Sequence, residues 1–193
     1  MSIIGIDIDG VLASFEHGFV PIMTEVSGIK FPDLGKPTWP ACWDWDLAAG
    51  ITKAQQRTAW AKLKVNPTFW LDLPPHPGAS AFLKWLSHRQ QDDIYFITHR
   101  MGKQAKWQTE RWLKRWGYLN VPTVIMTSMK GLACRALKAD FYIDDKTENC
   151  DDVLETSIET HVYMLERAYN RSIMNLAGRG SLEGFRKLVE EHI

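Results

Sequence analysis

The sequence predicts an α/β protein in which a Rossmann-like parallel sheet is flanked by helices and carries a small helical cap inserted after the first strand. Short apolar runs alternate along the chain with segments of helical periodicity, which is the pattern of strands joined by crossover helices. One interval between two of these runs is too long for a single helix. The chain has 193 residues, 45% of them hydrophobic, which is typical of one globular unit.

Five short apolar runs predict buried strands, because a strand covered on both faces lacks the alternation of a half-exposed one. Each run ends in a polar residue or a turn. Strands joined by crossover connections run parallel, so we expect ligands to bind where their C-terminal ends meet. The runs are residues 3–8, 94–97, 124–126, 141–143 and 162–165.

Helical spacing of apolar residues predicts the segments that cover the sheet. Residues 79–89 and 103–116 each place their apolar side chains on one face. A further helix begins near Lys130, after the third strand. The last segment, residues 181–192, is amphipathic and starts with Ser181, a residue type that caps helix N-termini.

The first two strands are separated by about 80 residues, far more than one crossover helix requires. This interval holds two helical segments, residues 16–26 and 52–63, with the turn-rich sequence FPDLGKPTWP between them. We therefore predict a core domain made of residues 1–15 and 76–193 and a cap made of residues 16–75.

Composition and charge argue against several kinds of protein. The 23 Lys and Arg residues balance 23 Asp and Glu residues, so no long-range positive field favours nucleic acid as a partner. No apolar run approaches the ~20 residues that span a membrane, and Asp7 and Asp9 interrupt the first run. We therefore expect a cytoplasmic protein that does not contact membranes. The three cysteines have no CxxC spacing, which argues against disulfides and zinc.

Two carboxylate residues lie at the end of the first predicted strand. Asp7 and Asp9 alternate along the chain and so emerge on one face, and Gly10 permits a tight turn after them. Their repulsion raises the pKa of one carboxyl unless a cation intervenes, which suits a nucleophile paired with a general acid. A DxD sequence is short and frequent, however, and alone is also explained by a solvated turn.

The other strands add further polar groups at the same edge. Thr98 ends the second strand, Lys130 begins the helix after the third, and Asp144 and Asp145 end the fourth. Each has an ordinary structural explanation alone, but four gathered carboxylates require a cation, and hard oxygen ligands favour Mg²⁺. With Mg²⁺, Lys130 and one protonated Asp the site is neutral. Such a site can accept a phosphoryl group.

These residues, in this order, resemble the four motifs of the haloacid dehalogenase (HAD) superfamily of phosphohydrolases. The motifs correspond to DIDGV at residues 7–11, Thr98, Lys130 and Asp144-Asp145. Within the superfamily, DGVLASFE, FWLDLPPHPGA, IDDKTEN and the late segment LERAYNR resemble the 5′(3′)-deoxyribonucleotidase branch. The resemblance therefore covers most of the chain and implies a HAD-like fold.

The resemblance implies a role for each motif residue. Asp7 would attack phosphorus to form an aspartyl-phosphate, and Asp9 would protonate the leaving oxygen and then activate water. Lys130 and Mg²⁺ would neutralise the phosphoryl oxygens, to which Thr98 would donate a hydrogen bond. The metal ligands would be Asp7, the main-chain carbonyl of Asp9, and either Asp144 or Asp145.

Aromatic residues at the two ends of the cap predict where a nucleobase would stack. Phe15 follows the first motif, and Phe69 and Trp70 precede the return to the sheet. Three further tryptophans fit either the core of the cap or the binding pocket. These are Trp39, Trp43 and Trp45.

The sequence departs from the branch directly after Thr98. Where relatives tend to have serine, this chain has His99 and Arg100. Arg100 is suited to a bidentate phosphate contact and His99 to a contact with the sugar, although both also fit the start of a loop.

The resemblance implies a Mg²⁺-dependent phosphatase whose substrate is a small phosphate ester, a (deoxy)ribonucleoside monophosphate. One alternative is the same chemistry on another phosphomonoester, such as a sugar phosphate or a nucleic-acid phosphate end. A non-catalytic phospho-receiver or binding module is another, although receivers carry their acidic pair on the first strand and the phosphorylated Asp on a middle one. The base, the sugar, the phosphate position, and the choice between monomer and homodimer stay open.

Overall fold

A parallel sheet forms the centre of the structure, a computed structural model that describes residues 1–32, 40–171 and 178–192. Its strands lie in the order β3-β2-β1-β4-β5-β6, and every neighbouring pair is parallel. The order reverses between β1 and β4, which is the switch point where open α/β sheets bind ligands. The strands are β1 (Ile3–Ile6), β2 (Asp93–Thr98), β3 (Thr123–Met126), β4 (Phe141–Asp144), β5 (His161–Leu165) and β6 (Gly178–Gly180).

Helices account for most of the remaining described chain. They are α1 (Phe15–Ser27), α2 (Trp45–Ala48), α3 (Lys53–Val65), α4 (Phe69–Asp72), α5 (Ala79–Ser87), α6 (Ala105–Arg115), α7 (Lys130–Leu137), α8 (Thr147–Thr156) and α9 (Leu182–Glu191), with a 3₁₀ turn at Ala168–Asn170. Local chemistry fixes several ends. Thr52 and Gln55 form a reciprocal capping box before α3, and Ser181 accepts from Gly184 N at 3.2 Å before α9.

Apolar side chains cover both faces of the sheet. Trp112 of α6 and Phe185 of α9 pack with Phe96 of β2 on one face, whereas Val153 of α8 and Tyr142 of β4 lie in the cluster on the other. All five are buried. The predicted α/β fold with a parallel sheet is therefore confirmed.

Two details of the strands differ from the sequence-based expectation. The first strand ends at Ile6 and not at residue 8, although Asp7 N still donates to Ile143 O at 3.0 Å. The sixth strand, Gly178–Gly180, was not expected because its sequence GRG has no apolar run.

The interval between β1 and α5 contains α1 to α4. Its two connections to the sheet pair with each other: Ser14 N donates to Pro74 O at 2.9 Å, and His76 N donates to Leu12 O at 2.8 Å. The cap boundaries at residues 16 and 75 stay a prediction, and residues 33–39, with Trp39, lie outside the described residues. No helix in the described ranges is long and apolar enough to span a membrane.

Candidate active site

The C-terminal ends of β1, β2 and β4 surround one cavity of about 320 Å³. The structure brings nearly all of the predicted site residues to it. Two of them, Phe69 and Arg100, are not among its lining residues. Those that line it are Asp7, Asp9, Phe15, Trp70, Thr98, His99, Lys130, Asp144 and Asp145.

Lys130 is the first residue of α7, and its side chain reaches the C-terminal ends of β1 and β2. Its Nζ donates to Asp7 Oδ1 and to Ile97 O, and the residue is 2% exposed. Burial lowers the pKa of Lys130, but Asp7 and Asp144 outweigh burial and raise it overall. Lys130 is therefore a fixed positive charge against Asp7.

Asp7, the ion-pair partner of Lys130, has a raised pKa. Burial raises the pKa of its carboxyl, Lys130 lowers it, and Asp144 and Asp145 raise it again, so the pKa lies well above its ordinary value. The charge of Lys130 does not offset burial and the other carboxylates together. The ionised form of Asp7 therefore calls for further positive charge.

The two carboxylates after β4 differ in their partners. Asp144 accepts from Tyr142 OH, from Asn149 Nδ2 at 3.0 Å and from Lys146 N at 2.9 Å. Asp145 Oδ2 accepts from Tyr169 OH, while its Oδ1 is buried without a hydrogen-bond partner among the described residues. Burial and Asp144 raise the pKa of Asp145 to about 7.

These carboxylates fit a divalent cation. One oxygen from each of Asp7, Asp144 and Asp145 lies within 4.8 Å of the others. The unpartnered Asp145 Oδ1 is a free ligand atom, and an all-oxygen donor set suits Mg²⁺. Lys130 and Arg100 form ion pairs with Asp7 and Asp9, and a divalent cation would add positive charge beside Asp144 and Asp145.

Thr98 and His99 lie on the cavity wall. Thr98 is 1% exposed, and its Oγ1 has no hydrogen-bond partner in the part of the chain that the structure describes. A buried hydroxyl without a partner costs free energy, so it is available for a ligand. His99 is exposed.

Arg100 forms an ion pair with Asp9 and does not line the cavity. Its Nε and Nη2 donate to the two oxygens of Asp9 at 2.9 and 2.7 Å, and its side chain is 0% exposed. The direct phosphate contact expected from the sequence is therefore not met in this arrangement.

The loop after β5 contributes contacts that the sequence reasoning did not assign. Asn170 Nδ2 donates to Asp145 O at 2.8 Å, next to the bond from Tyr169 to the Asp145 carboxylate. Arg167 donates to Gly10 O at 2.6 Å, and so holds the turn after Asp9. The segment LERAYNR was singled out only by resemblance, because the contacts depend on a separation of more than 20 residues in sequence.

Aromatic rings extend the site toward the inserted helices. The Phe15 ring stacks on Trp60 with centroids 5.6 Å apart and on Trp70 at 5.9 Å. Phe15 also lines an adjoining cavity of about 190 Å³, with Trp43 and Trp45 in its wall. Phe69 is 5% exposed and packs edge-on against Trp70.

The fold is that of HAD hydrolases. Over 99% of this chain and 98% of the other, it superposes on a haloacid dehalogenase-like hydrolase from Streptococcus pneumoniae with a TM-score of 0.61 and 13% identity. A HAD-superfamily hydrolase of subfamily IA from Geobacter sulfurreducens matches over 99% of both chains with a TM-score of 0.57 and 11% identity. At these identities the similarity shows the fold alone.

Residues 1–183 match the family described as 5′ nucleotidase, deoxy (pyrimidine), cytosolic type C protein (NT5C), and the chain belongs to this family. The chain is also similar to the mitochondrial 5′(3′)-deoxyribonucleotidase of Mus musculus, with 26% identity over 153 residues. That match covers 74% of this chain and 64% of the mouse protein. The resemblance found from the motifs is thereby confirmed.

Proposed function

We propose that the protein is a Mg²⁺-dependent phosphatase that hydrolyses (deoxy)ribonucleoside monophosphates through an aspartyl-phosphate. The observation that carries the proposal is the convergence of Asp7, Asp9, Lys130 and the Asp144-Asp145 pair on one cavity beside an aromatic one. Membership of a nucleotidase family supports the same substrate class.

In the first step, an oxygen of Asp7 attacks phosphorus while the bond from phosphorus to the sugar oxygen breaks. Lys130 holds Asp7 Oδ1, which leaves Oδ2 for the attack. The departing sugar oxygen takes a proton from Asp9, and Thr98 Oγ1 donates to a phosphoryl oxygen. The products are the free nucleoside and the phosphorylated Asp7.

In the second step, water attacks the phosphorus of the phosphorylated Asp7. Asp9 accepts the proton of that water, the bond between Asp7 and phosphorus breaks, and inorganic phosphate leaves. Asp9 is then protonated for the next cycle. Mg²⁺, held by Asp7, the main-chain carbonyl of Asp9 and the Asp144-Asp145 pair, would supply positive charge to the phosphoryl oxygens.

The substrate class follows from the two adjoining cavities. The phosphate would lie among the carboxylates and Lys130, and the base would lie in the aromatic cavity next to Phe15 and Trp60. Stacking on an aromatic ring contributes about 1–3 kcal/mol per base and selects little between bases. Nucleotides should therefore bind better than small phosphate esters.

Phosphate release from nucleoside 5′- and 3′-monophosphates and from simple phosphate esters tests the proposal, with and without Mg²⁺. We expect Mg²⁺-dependent turnover that is highest on nucleotides and is lost in Asp7→Asn. Asp93→Asn is a matched control, because Asp93 is an exposed carboxylate at the opposite end of β2. Turnover without nucleotide preference would contradict binding of the base in the aromatic cavity. The absence of turnover on any ester would contradict phosphatase activity.

A further inference from the structure

Asp9 and Arg100 form a two-pronged ion pair beside the cavity. The fork from Arg100 Nε to Asp9 Oδ2 and from Nη2 to Oδ1 fixes the plane of the carboxylate, which a single contact would leave free to rotate. The Asp9 side chain keeps 21% exposure and lines the cavity, whereas that of Arg100 keeps 0%. Of the two side chains in the pair, therefore, only that of Asp9 is accessible from the cavity.

The third nitrogen of the Arg100 guanidinium is also occupied, and two tryptophan rings lie close to the group. Nη1 donates to Thr109 Oγ1 at 3.0 Å, and Thr109 Oγ1 donates to Ala105 O at 2.7 Å. The guanidinium carbon lies 4.9 Å from the centre of the Trp70 ring and 5.9 Å from that of Trp112. Both distances are within the range of cation–π attraction.

The two indoles are themselves anchored. Trp70 Nε1 donates to Met101 O at 2.9 Å, and Trp112 Nε1 donates to Leu73 O at 2.7 Å. These bonds tie α4 and the chain after it to α6 and to the loop after β2. Arg100 would have to break all of these contacts before it could reach a phosphate in the cavity.

We propose that Arg100 is a positioning residue that acts through Asp9. It directs the carboxylate oxygen that exchanges a proton with the substrate, and it does not bind phosphate. The inference rests on the proposed function, because it assigns Arg100 a part in the proton transfer of that reaction.

The fork leaves Asp9 competent for proton transfer. Each carboxylate oxygen has two lone pairs, and the fork occupies one on each oxygen. A second lone pair stays free on each oxygen of Asp9, which lines the cavity, and the fork limits the orientation of the carboxylate. Proton transfer is sensitive to such placement, since a displacement of 1 Å can lower a rate about 100-fold.

The test compares two substrates that differ in their need for a proton. The sugar oxygen of a nucleotide must be protonated as it leaves, whereas the nitrophenolate of p-nitrophenyl phosphate departs as a stable anion. The ratio kcat/KM reports only the steps up to transfer of the phosphoryl group to Asp7. We expect Arg100→Gln to lower kcat/KM about 100-fold for the nucleotide and only a few-fold for the aryl ester.

Competitive inhibition by inorganic phosphate should be unchanged in Arg100→Gln, because the arginine does not touch phosphate. Arg100→Lys keeps the buried charge but not the fork, so it should show the same preference with a smaller loss, and it carries the test if the glutamine variant does not fold. Arg111→Gln is the matched control, because Arg111 also stacks on a tryptophan, Trp107 at 4.5 Å, but is exposed.

A double-mutant cycle with Asp9→Asn completes the test. If Arg100 acts through Asp9, Arg100→Gln should cost little more once Asp9 has been replaced. Equal losses on both substrates, weaker inhibition by phosphate, or an undiminished loss beside Asp9→Asn would each overturn the inference and leave the proposed function intact. A wild-type protein without any turnover would overturn both.

Discussion

The carboxylates at the sheet edge are arranged for a ligand and not for the stability of the ligand-free chain. Asp145 is 1% exposed, and within the described ranges only one of its side-chain oxygens has a hydrogen-bond partner. Burial and the charge of Asp144 raise the pKa of Asp145 from 3.8 to about 7. An acid with a raised pKa in the folded state stabilises the fold below its unfolded pKa and loses that contribution as the pH rises through the folded pKa.

We expect Asp145→Asn to stabilise the metal-free protein at pH 8 but not at pH 4. The difference arises because each unit of pKa shift corresponds to about 1.4 kcal/mol, so the carboxylate costs a few kcal/mol above pH 7. Thermal unfolding in EDTA at both pH values measures it, with Asp93→Asn as the exposed control. A lower Tm for Asp145→Asn at pH 8 would contradict the assignment.

The same residue should link stability to metal. A cation that binds only the folded state raises the Tm. Mg²⁺ should therefore raise the Tm of the wild type at pH 8 and raise that of Asp145→Asn much less. A titration of Tm against Mg²⁺ concentration measures the difference, and an equal response of the two proteins would exclude Asp145 as a ligand.

At the scale of the elements, the two connections between sheet and inserted helices pass side by side, and His76 lies on the second. Its Nε2 is buried, and no described residue forms a hydrogen bond with it. Burial, with the positive charge of Arg167 and with His17, lowers the pKa of His76 from 6.5 to about 3. This histidine is therefore neutral in the folded protein.

We expect His76→Gln to reduce the loss of stability of the protein in acid. The unfolded state binds a proton at His76 below pH 6.5 and the folded state only near pH 3, so the wild type loses up to about 1.4 kcal/mol per pH unit in between. Unfolding by urea at pH 7.5 and pH 5 measures this slope. The control is His88→Gln, at an exposed position, and equal slopes for His76→Gln and the wild type would contradict the expectation.

Hydrophobic periodicity was sufficient to predict many of the elements that bury apolar side chains, although α8, which buries Val153, was not predicted. The strands at β1 to β5 and the helices α5 and α6 all carry such a pattern. The four-residue helices α2 and α4 carry too few residues for a periodicity, and β6 has glycine at two of three positions. Their placement depends on contacts with distant parts of the chain.

The candidate site also contains residues that the sequence predicts and contacts that it does not. Asp7, Thr98 and Lys130 could be predicted because each follows a strand that the sequence marks. The pairing of Arg100 with Asp9 joins residues 91 positions apart, and no local pattern encodes it. The bond from Tyr169 to Asp145 is of the same kind.

For the whole molecule, we expect the inserted helices to close over the cavity during turnover and to open again to release product. Trp43, in the interval between β1 and α5, contacts residues of the loops after β4 and β5 beside the cavity. Its ring meets Tyr169 edge-on at 5.5 Å and lies 4.8 Å from Lys146 Nζ. Because Trp43 lines both cavities, the same contact would hold the phosphate and base sites together.

We expect Trp43→Ala to raise KM for nucleoside monophosphates about 10-fold, since an aromatic pair and a cation–π contact together contribute roughly 1–2 kcal/mol. KM for p-nitrophenyl phosphate should rise less, because the small ester does not reach the second cavity. Trp107→Ala is the control: Trp107 is 47% exposed against 46% for Trp43, and it too stacks with a cation, Arg111. Steady-state kinetics on both esters decide the point, because equal changes in the two variants would mean that the contact of Trp43 with the core does not serve substrate binding.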